Sequence, residues 1–568
     1  MAALALVARR GRRQTAATAL VVAAVLAGCT GIPTAGPVQE GDVPVGELGA
    51  PLSLAVDPVA DGTPEEIVRG FLAAGAAGLS DEFEVARKFL TPRAEWNPRQ
   101  QVLIHTVQGP QVHGRADGSV VVTVPVAAVV DEGGVYTEAV ARAPHVMEFE
   151  LAQDAADQWR ISSAPDGVVM SPRDFEQLYR EVSVYFASPD LTHLVPDLRH
   201  FPTANMPAMA VAALLDGPSS WLRDAVVSGD RVAADAPALN VSAVTIDGTV
   251  ATVDLAAPAS LAGADRNLLQ VQLEATLLNL PIAITEVAVT VGGLPWVNNA
   301  GAELIVDPAP ESGPYLLTDG ALAVIEQGEI LPLEDVPPME GLGATRLALS
   351  PDGSLRVVRS GTSRVMLLPQ DGGDPVELLA GAALIPPSVD RFGWVWSGPE
   401  VAAGRLVGVA ADGTQTDIAA DWLAGATVRS ARVARDGARV VVVSADENGR
   451  VSVDVAGVVR DESGRPLRLG ERWQIGASLT DATDVSWLDE VDVAVLGVTG
   501  SGGSPMMHLV PVGGPTTPTS LIEGAIGIAT GKGMRAQYVV DRDGQLWLRQ
   551  GEVWAVVATE VTDVAFPG

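Results

Sequence analysis

A chain of 568 residues, 47% of them hydrophobic, is too long for one core and apolar enough to build several. A formal net charge of -33 speaks against a nucleic-acid-binding body, and a single cysteine excludes an intramolecular disulfide and thiolate zinc sites. With 59 Gly, 40 Pro and only 4% aromatic residues, the composition is that of turn-rich globular domains.

Arg9, Arg10, Arg12 and Arg13 precede a short apolar run from Thr15 to Leu26, which ends in Leu26-Ala27-Gly28-Cys29. A basic start, a short hydrophobic middle and small residues before a cleavage point form an export leader. The run is about a dozen residues, against roughly 20 for a membrane-spanning helix. Leu-Ala-Gly-Cys has the form of a bacterial lipobox, in which the cysteine takes a diacylglyceryl group and, after cleavage, an N-acyl chain such as palmitate. Cys29 is therefore the predicted lipidation site. The alternative is a chance cysteine after an ordinary leader. The paired arginines leave both the general and the twin-arginine export routes open.

Thr30 to Asp61, punctuated by Pro33, Pro37, Pro44, Pro51 and Pro58, is expected to be a flexible tether. Thr63-Pro64-Glu65-Glu66 then starts a helix, with Thr63 as cap, Pro64 in the first turn and Glu66 completing a capping box. Ile67, Val68, Phe71 and Leu72 form its apolar face. A second short helix is expected over Phe83 to Leu90. Strands follow at Val102–Val107, Val120–Val130, Val146–Leu151 and Trp159–Ser162. Two helices and a curved antiparallel sheet resemble a cone-shaped α+β domain of the nuclear-transport-factor-two type.

Beyond Phe175 the pattern alternates. Val184-Tyr185-Phe186 reads as a strand. Pro207 opens a helix that Gly217-Pro218 ends, and Val250–Leu255 is a strand. Leu269, Leu273, Leu277 and Leu280 share a helical face, and Ile284–Val291 is another strand. This predicts a compact α/β domain. From about Gly301 helix signals vanish, and short Val/Leu strands alternate with Asp-Gly and Gly-Gly turns. Leu347-Ala-Leu-Ser-Pro-Asp-Gly, Val433-Ala-Arg-Asp-Gly and Asp541-Arg-Asp-Gly-Gln-Leu-Trp mark a loose repeat of roughly 40 to 55 residues, the size of a propeller blade. Five to seven blades fit the length; the alternative is a pair of β-sandwiches.

The segments Val184-Tyr185-Phe186, Leu194-Val-Pro-Asp-Leu-Arg199, Leu214-Leu-Asp-Gly-Pro218, Val253-Asp-Leu255 and Leu269-Gln-Val-Gln-Leu273 resemble the GerMN domain of spore-germination and other Gram-positive envelope proteins. A lipobox, an α+β domain, a GerMN-like domain and a propeller, in that order, resemble the actinobacterial LpqB lipoprotein family. The opening Cys29-Thr-Gly-Ile-Pro-Thr is similar to that family's mature N-terminus. The expected layout is a leader over 1–28, a tether over 29–61, the α+β domain over 62–172, the GerMN-like domain over 173–298 and the propeller over 299–568. The resemblance implies a lipid-anchored protein on the extracytoplasmic face of the cell membrane. Its implied partner is the outer domain of an MtrB-like sensor histidine kinase, through which it affects MtrA–MtrB signalling, cell-wall homeostasis and division.

The residues themselves point to no catalytic site and no cofactor. The six histidines, His105, His113, His145, His193, His200 and His508, lack the spacing of a helical metal pair. No serine occupies a Gly-x-Ser-x-Gly elbow. Asp541-Arg-Asp543-Gly544 resembles the start of a calcium loop but lacks the third oxygen residue and the distal Glu, so a β-turn is expected. Asp489-Glu-Val-Asp492 is expected to be a solvated turn. Trp394, Trp396, Trp422, Trp473, Trp487, Trp547 and Trp554 are expected to pack between blades. The expected role is a non-enzymatic accessory protein. A binder of peptidoglycan or other envelope material, and a propeller-based glycan hydrolase, remain as alternatives.

Overall fold

The computed structural model describes residues 55–139, 144–228, 240–256, 263–296, 303–318, 320–337, 339–500, 503–519, 522–531, 533–551 and 553–568. Helix Pro64–Ala77 begins as expected. The Thr63 hydroxyl accepts from the Glu66 amide and the Glu66 carboxylate accepts from the Thr63 amide, so the capping box is complete. Its buried face, Ile67, Val68, Phe71 and Ala74, packs on a seven-stranded sheet. The sheet's central strand, Val120–Asp131, buries every second side chain over most of its length. The α+β character is as expected, with two corrections. Gln101–His105 pairs in parallel with Val168–Met170, so the sheet is mixed. The second helix is a single turn, Glu84–Arg87, because Phe83 enters it in the left-handed region and buries its ring against Gly78. Asp57 and Asp61, at the end of the predicted tether, are tied to Lys88 and Gln158.

The second domain contains a long hairpin, Tyr179–Ala187 with Leu194–Pro202, and a separate four-stranded sheet. Within that sheet Val250–Ala256 and Glu286–Val291 run parallel, joined through helix Gly263–Leu278. Such a connection needs a crossover, and a helix supplies it. Leu269, Leu273 and Leu277 are its buried stripe. Two of its buried polar side chains have partners: Thr276 accepts from the Tyr185 amide at 3.1 Å, and Gln272 donates to the Val227 carbonyl at 3.0 Å.

Six blades follow. Blade one holds Tyr315–Thr318, Ala321–Glu326 and Glu329–Pro332, and its fourth strand is Val561–Ala565 from the chain's end. Blades two, five and six are consecutive four-stranded meanders: Ala344–Leu349 to Val376–Ala380, Leu479–Trp487 to Thr517–Pro518, and Ala525–Thr530 to Val553–Ala558. Blade three runs from Ser388–Val389 to Gln415–Ala419. Blade four consists of Thr427–Val433, Arg439–Ala445, Val451–Arg460 and Trp473–Ile475, with Pro466–Leu469 bridging it to blade three. The innermost strands form a closed ring in which Val561–Ala565 contacts both Ala344–Leu349 and Ala525–Thr530. Last-strand closure of this kind leaves the sheet ring without a seam.

The modules are welded together. One hydrophobic cluster runs from Val184, Leu214 and Leu222 into Val441, Val453, Val485 and Val493 of blades four and five. Gly457 permits the approach, since a Cβ there would sit 2.7 Å from the Ala225 methyl and 3.0 Å from the Trp221 carbonyl. At the other end of the hairpin the His200 amide donates to the Gly134 carbonyl at 2.7 Å. Gly134 has φ +81°, and a Cβ there would collide with the Phe201 ring.

Candidate functional site

The propeller axis is closed by charge. Arg346 on blade two's inner strand lies 2.9 Å from Asp484 on blade five's and 3.7 Å from Asp563 on the closing strand. Asp484 also faces Arg432 at 3.9 Å and accepts from the Ser430 hydroxyl at 3.2 Å. Asp563 accepts from the Leu347 amide at 2.7 Å. Asp484 is 1% exposed, so its charge must be met inside the protein. Asp484 holds the Arg346 guanidinium above its ordinary range, whereas burial raises Asp563 despite the nearby Arg346. Nearer the end of the inner strands Arg429 pairs with Asp481 at 2.5 Å. These residues lie in apolar strands where they break the alternation. That interruption is the signal in the sequence that could have found them.

A second polar cluster sits where the hairpin meets blade five. The Tyr185 hydroxyl donates to Glu490. Burial raises the Glu490 and Asp307 carboxyls and the Tyr185 phenol. Burial, then Asp489 and Glu181, push Asp492 up to about 7. The solvated turn expected at Asp489–Asp492 is thus corrected: the turn is half-buried, with Tyr185 of the second domain bonded to Glu490, and a contact between distant parts of the chain cannot be seen in the local pattern. Nearby, Arg391 makes two 2.8 Å hydrogen bonds to Asp190. Burial alone would raise Asp190, but donors from Arg391, Ser188 and Thr192 bring it well below the usual carboxylate range.

His200 is buried between the Tyr136 and Phe175 rings, and Arg199, paired with Asp197 at 2.7 Å, also donates to the Gly133 carbonyl. The hairpin therefore touches all three modules. Between the first domain and blades four and five opens a cleft of about 780 Å³, lined by Thr106, Gln108, Glu138, Arg450, Gln474 and Thr480 among others. Its volume is in the range of small-molecule sites.

Asp541 is a turn residue. It accepts from the amides of Asp543 and Gln545 and from the Trp547 indole at 2.8 Å. Asp390 repeats the pattern with Phe392, Trp394 and Trp396. In both, an aspartate ties a blade turn to a tryptophan six residues on, so one carboxylate orders a hairpin. Trp396 and Trp487 are buried, and Trp547 and Trp554 pack at the boundary of blades five and six. Cys29 lies outside the described residues. Among the described residues no three His, Cys, Asp or Glu side chains could hold a metal, and no helix is long and apolar enough to cross a membrane.

These observations define a class: a multi-domain propeller protein whose axis is closed by ion pairs and whose smaller domains are packed against it. Residues 57–176 match the family described as "Lipoprotein LpqB, N-terminal domain", 183–296 "Sporulation and spore germination", and 320–567 "Lipoprotein LpqB beta-propeller domain". Lipoprotein LpqB of Bifidobacterium longum is 30% identical over 70% of both chains. That of Cutibacterium acnes is 28% identical over 86% of both, and that of Streptomyces coelicolor 28% over 99% of both. Among solved structures, TolB from Acinetobacter baumannii covers 46% of this chain and 68% of its own, with 15% identity and a TM-score of 0.36. The chain belongs to the LpqB lipoprotein family.

Proposed function

We propose that this protein is a non-enzymatic accessory lipoprotein, anchored through Cys29 on the extracytoplasmic side of the cell membrane, that modulates an MtrB-like sensor histidine kinase. Through MtrA–MtrB signalling it would support cell-wall homeostasis and division. The observation that carries this reading is the weld between modules. A core shared by the second domain and blades four and five, together with the Arg391–Asp190 ion pair, fixes these parts to one another, an arrangement suited to presenting surfaces to a partner. The channel carboxylates Asp484 and Asp563 both engage Arg346, which argues against their use as a hydrolytic acid–base pair. Anchoring confines protein and kinase to one membrane and raises their effective concentration. Binding one kinase conformation better than the other would then shift its equilibrium.

The test is reconstitution of the kinase in liposomes with lipidated protein or with the Cys29→Ala form. The expected result is altered autophosphorylation that depends on the anchor. Absence of both binding and any change in kinase activity would sink the reading. A second reading, an envelope-ligand binder, is favoured by the hydroxyl and amide groups that line the interdomain cleft. Pull-down on purified wall material tests it.

A further inference from the structure

The outer strand of a propeller blade presents unpaired backbone N–H and C=O groups, and proteins blunt such edges with short strands, proline, charge or cover. Five blades here do so. Blade one ends in Glu329–Pro332, which carries both a charge and a proline. Blade two's Val376–Ala380 carries Glu377. Blade three's Gln415–Ala419 meets the bridging strand Pro466–Leu469. Blade four's Trp473–Ile475 has three residues, and blade five's Thr517–Pro518 has two, one of them proline.

Blade six differs. Its outer strand Val553–Ala558 is Val-Trp-Ala-Val-Val-Ala: six residues, uncharged, without proline, and paired on one side only, with Leu546–Gln550, in a register that is regular over Val553–Val556 and shifts once, at Val557. Val553 is 64% exposed, Val556 44% and Val557 37%. One strand inward lies a groove of about 460 Å³ lined by Glu523, Asp541, Asp543, Gln545 and Trp547, with Arg542 its single cation. The register sets Val556 opposite Trp547 and Ala558 opposite Leu546, so the groove flanks the C-terminal half of the edge.

We infer that the edge of blade six is a strand-addition site for an extended, apolar segment of a protein partner that carries a basic residue toward the acidic groove. Main-chain hydrogen bonds would give affinity, alternate side chains would meet the exposed valines, and the basic residue would fix direction. A second copy of this chain is a poor occupant. It would bring a strand flanked by Glu552 and Glu560, on a body of net charge -33, to an acidic groove. The inference does not depend on the identity of the kinase partner.

The test uses the full-length protein in detergent and a fluorescent octapeptide of alternating valine and threonine with arginine at both ends. Anisotropy should show saturable binding. Val556→Lys and, separately, Val553→Lys should each weaken it about tenfold or more, because a charged gatekeeper blocks an edge. Both variants should keep the wild-type melting temperature. N-methylation of alternate peptide nitrogens should abolish binding, and glutamate ends should weaken it. Equal binding by both variants, equal binding of the N-methylated peptide, or no binding by wild type would overturn the inference. So would a wild-type dimer in sedimentation that Val556→Lys dissolves, or an edge that serves only to bind phosphatidylglycerol vesicles.

Discussion

The Tyr185 hydroxyl donates to the Glu490 carboxylate across 305 residues of sequence, joining the second domain's hairpin to a loop of blade five. Burial raises both groups, so this hydrogen bond is made where water competes poorly. Tyr185→Phe keeps the ring and removes the donor. The expected loss is about 1–3 kcal/mol, the cost of leaving a buried acceptor unmet. Urea denaturation followed by tryptophan fluorescence measures it. A variant as stable as wild type would show that the bond adds nothing.

Asp484 answers two arginines from inside the channel. Asp484→Ala leaves Arg346 and Arg432 short of a partner, and the expected loss is roughly 3–5 kcal/mol. Arg346→Met combined with Asp484→Leu should recover part of it, because the pair is then absent rather than broken. The two denaturation midpoints, compared with that of wild type, decide the point.

Asp492 gives stability a defined pH dependence. Its carboxyl is raised to about 7 in the folded protein, against an ordinary 3.8. Between those values the folded state binds the proton and the unfolded state does not, so stability falls as pH rises through this window. The contribution is full below about pH 4 and lost above about 7. In Asp492→Asn the melting temperature should depend less on pH between 4 and 8. The same slope in both proteins would refute the assignment.

Gly457 lets the Trp221–Ala225 turn reach blade four. Gly457→Val should strain this contact by about 1–3 kcal/mol, as overpacking does. Its expected signature is faster proteolysis between the second domain and the propeller, with the propeller's own fragments preserved.

Thr63→Ala removes the hydroxyl that caps Pro64–Ala77 and should cost about 1 kcal/mol. Thermal unfolding of the first domain's transition reads it.

What was legible in the chain was what local chemistry decides. The Thr63 capping box, the Leu269, Leu273 and Leu277 stripe, and the Asp-Gly turns that space the blades all depend on residues within a few positions of one another. The parallel pairing of Gln101–His105 with Val168–Met170 was not legible, since strand direction is set by which segments meet. Nor was the half-burial of Asp489–Asp492, which by local pattern is polar and loop-like.

By itself the sequence determined the order of modules, their periodicity and their family resemblance, because caps, turns and hydrophobic repeats act over short stretches. Tertiary structure alone decided that there are six blades, that the last strand closes the first, and that ion pairs cross the axis. The Asp563 bond to the Leu347 amide spans 216 residues, and the Arg346 bond to Asp484 spans 138. Charges so far apart in the chain acquire partners only when ring closure brings the inner strands together. Their burial then makes each charge depend on the others.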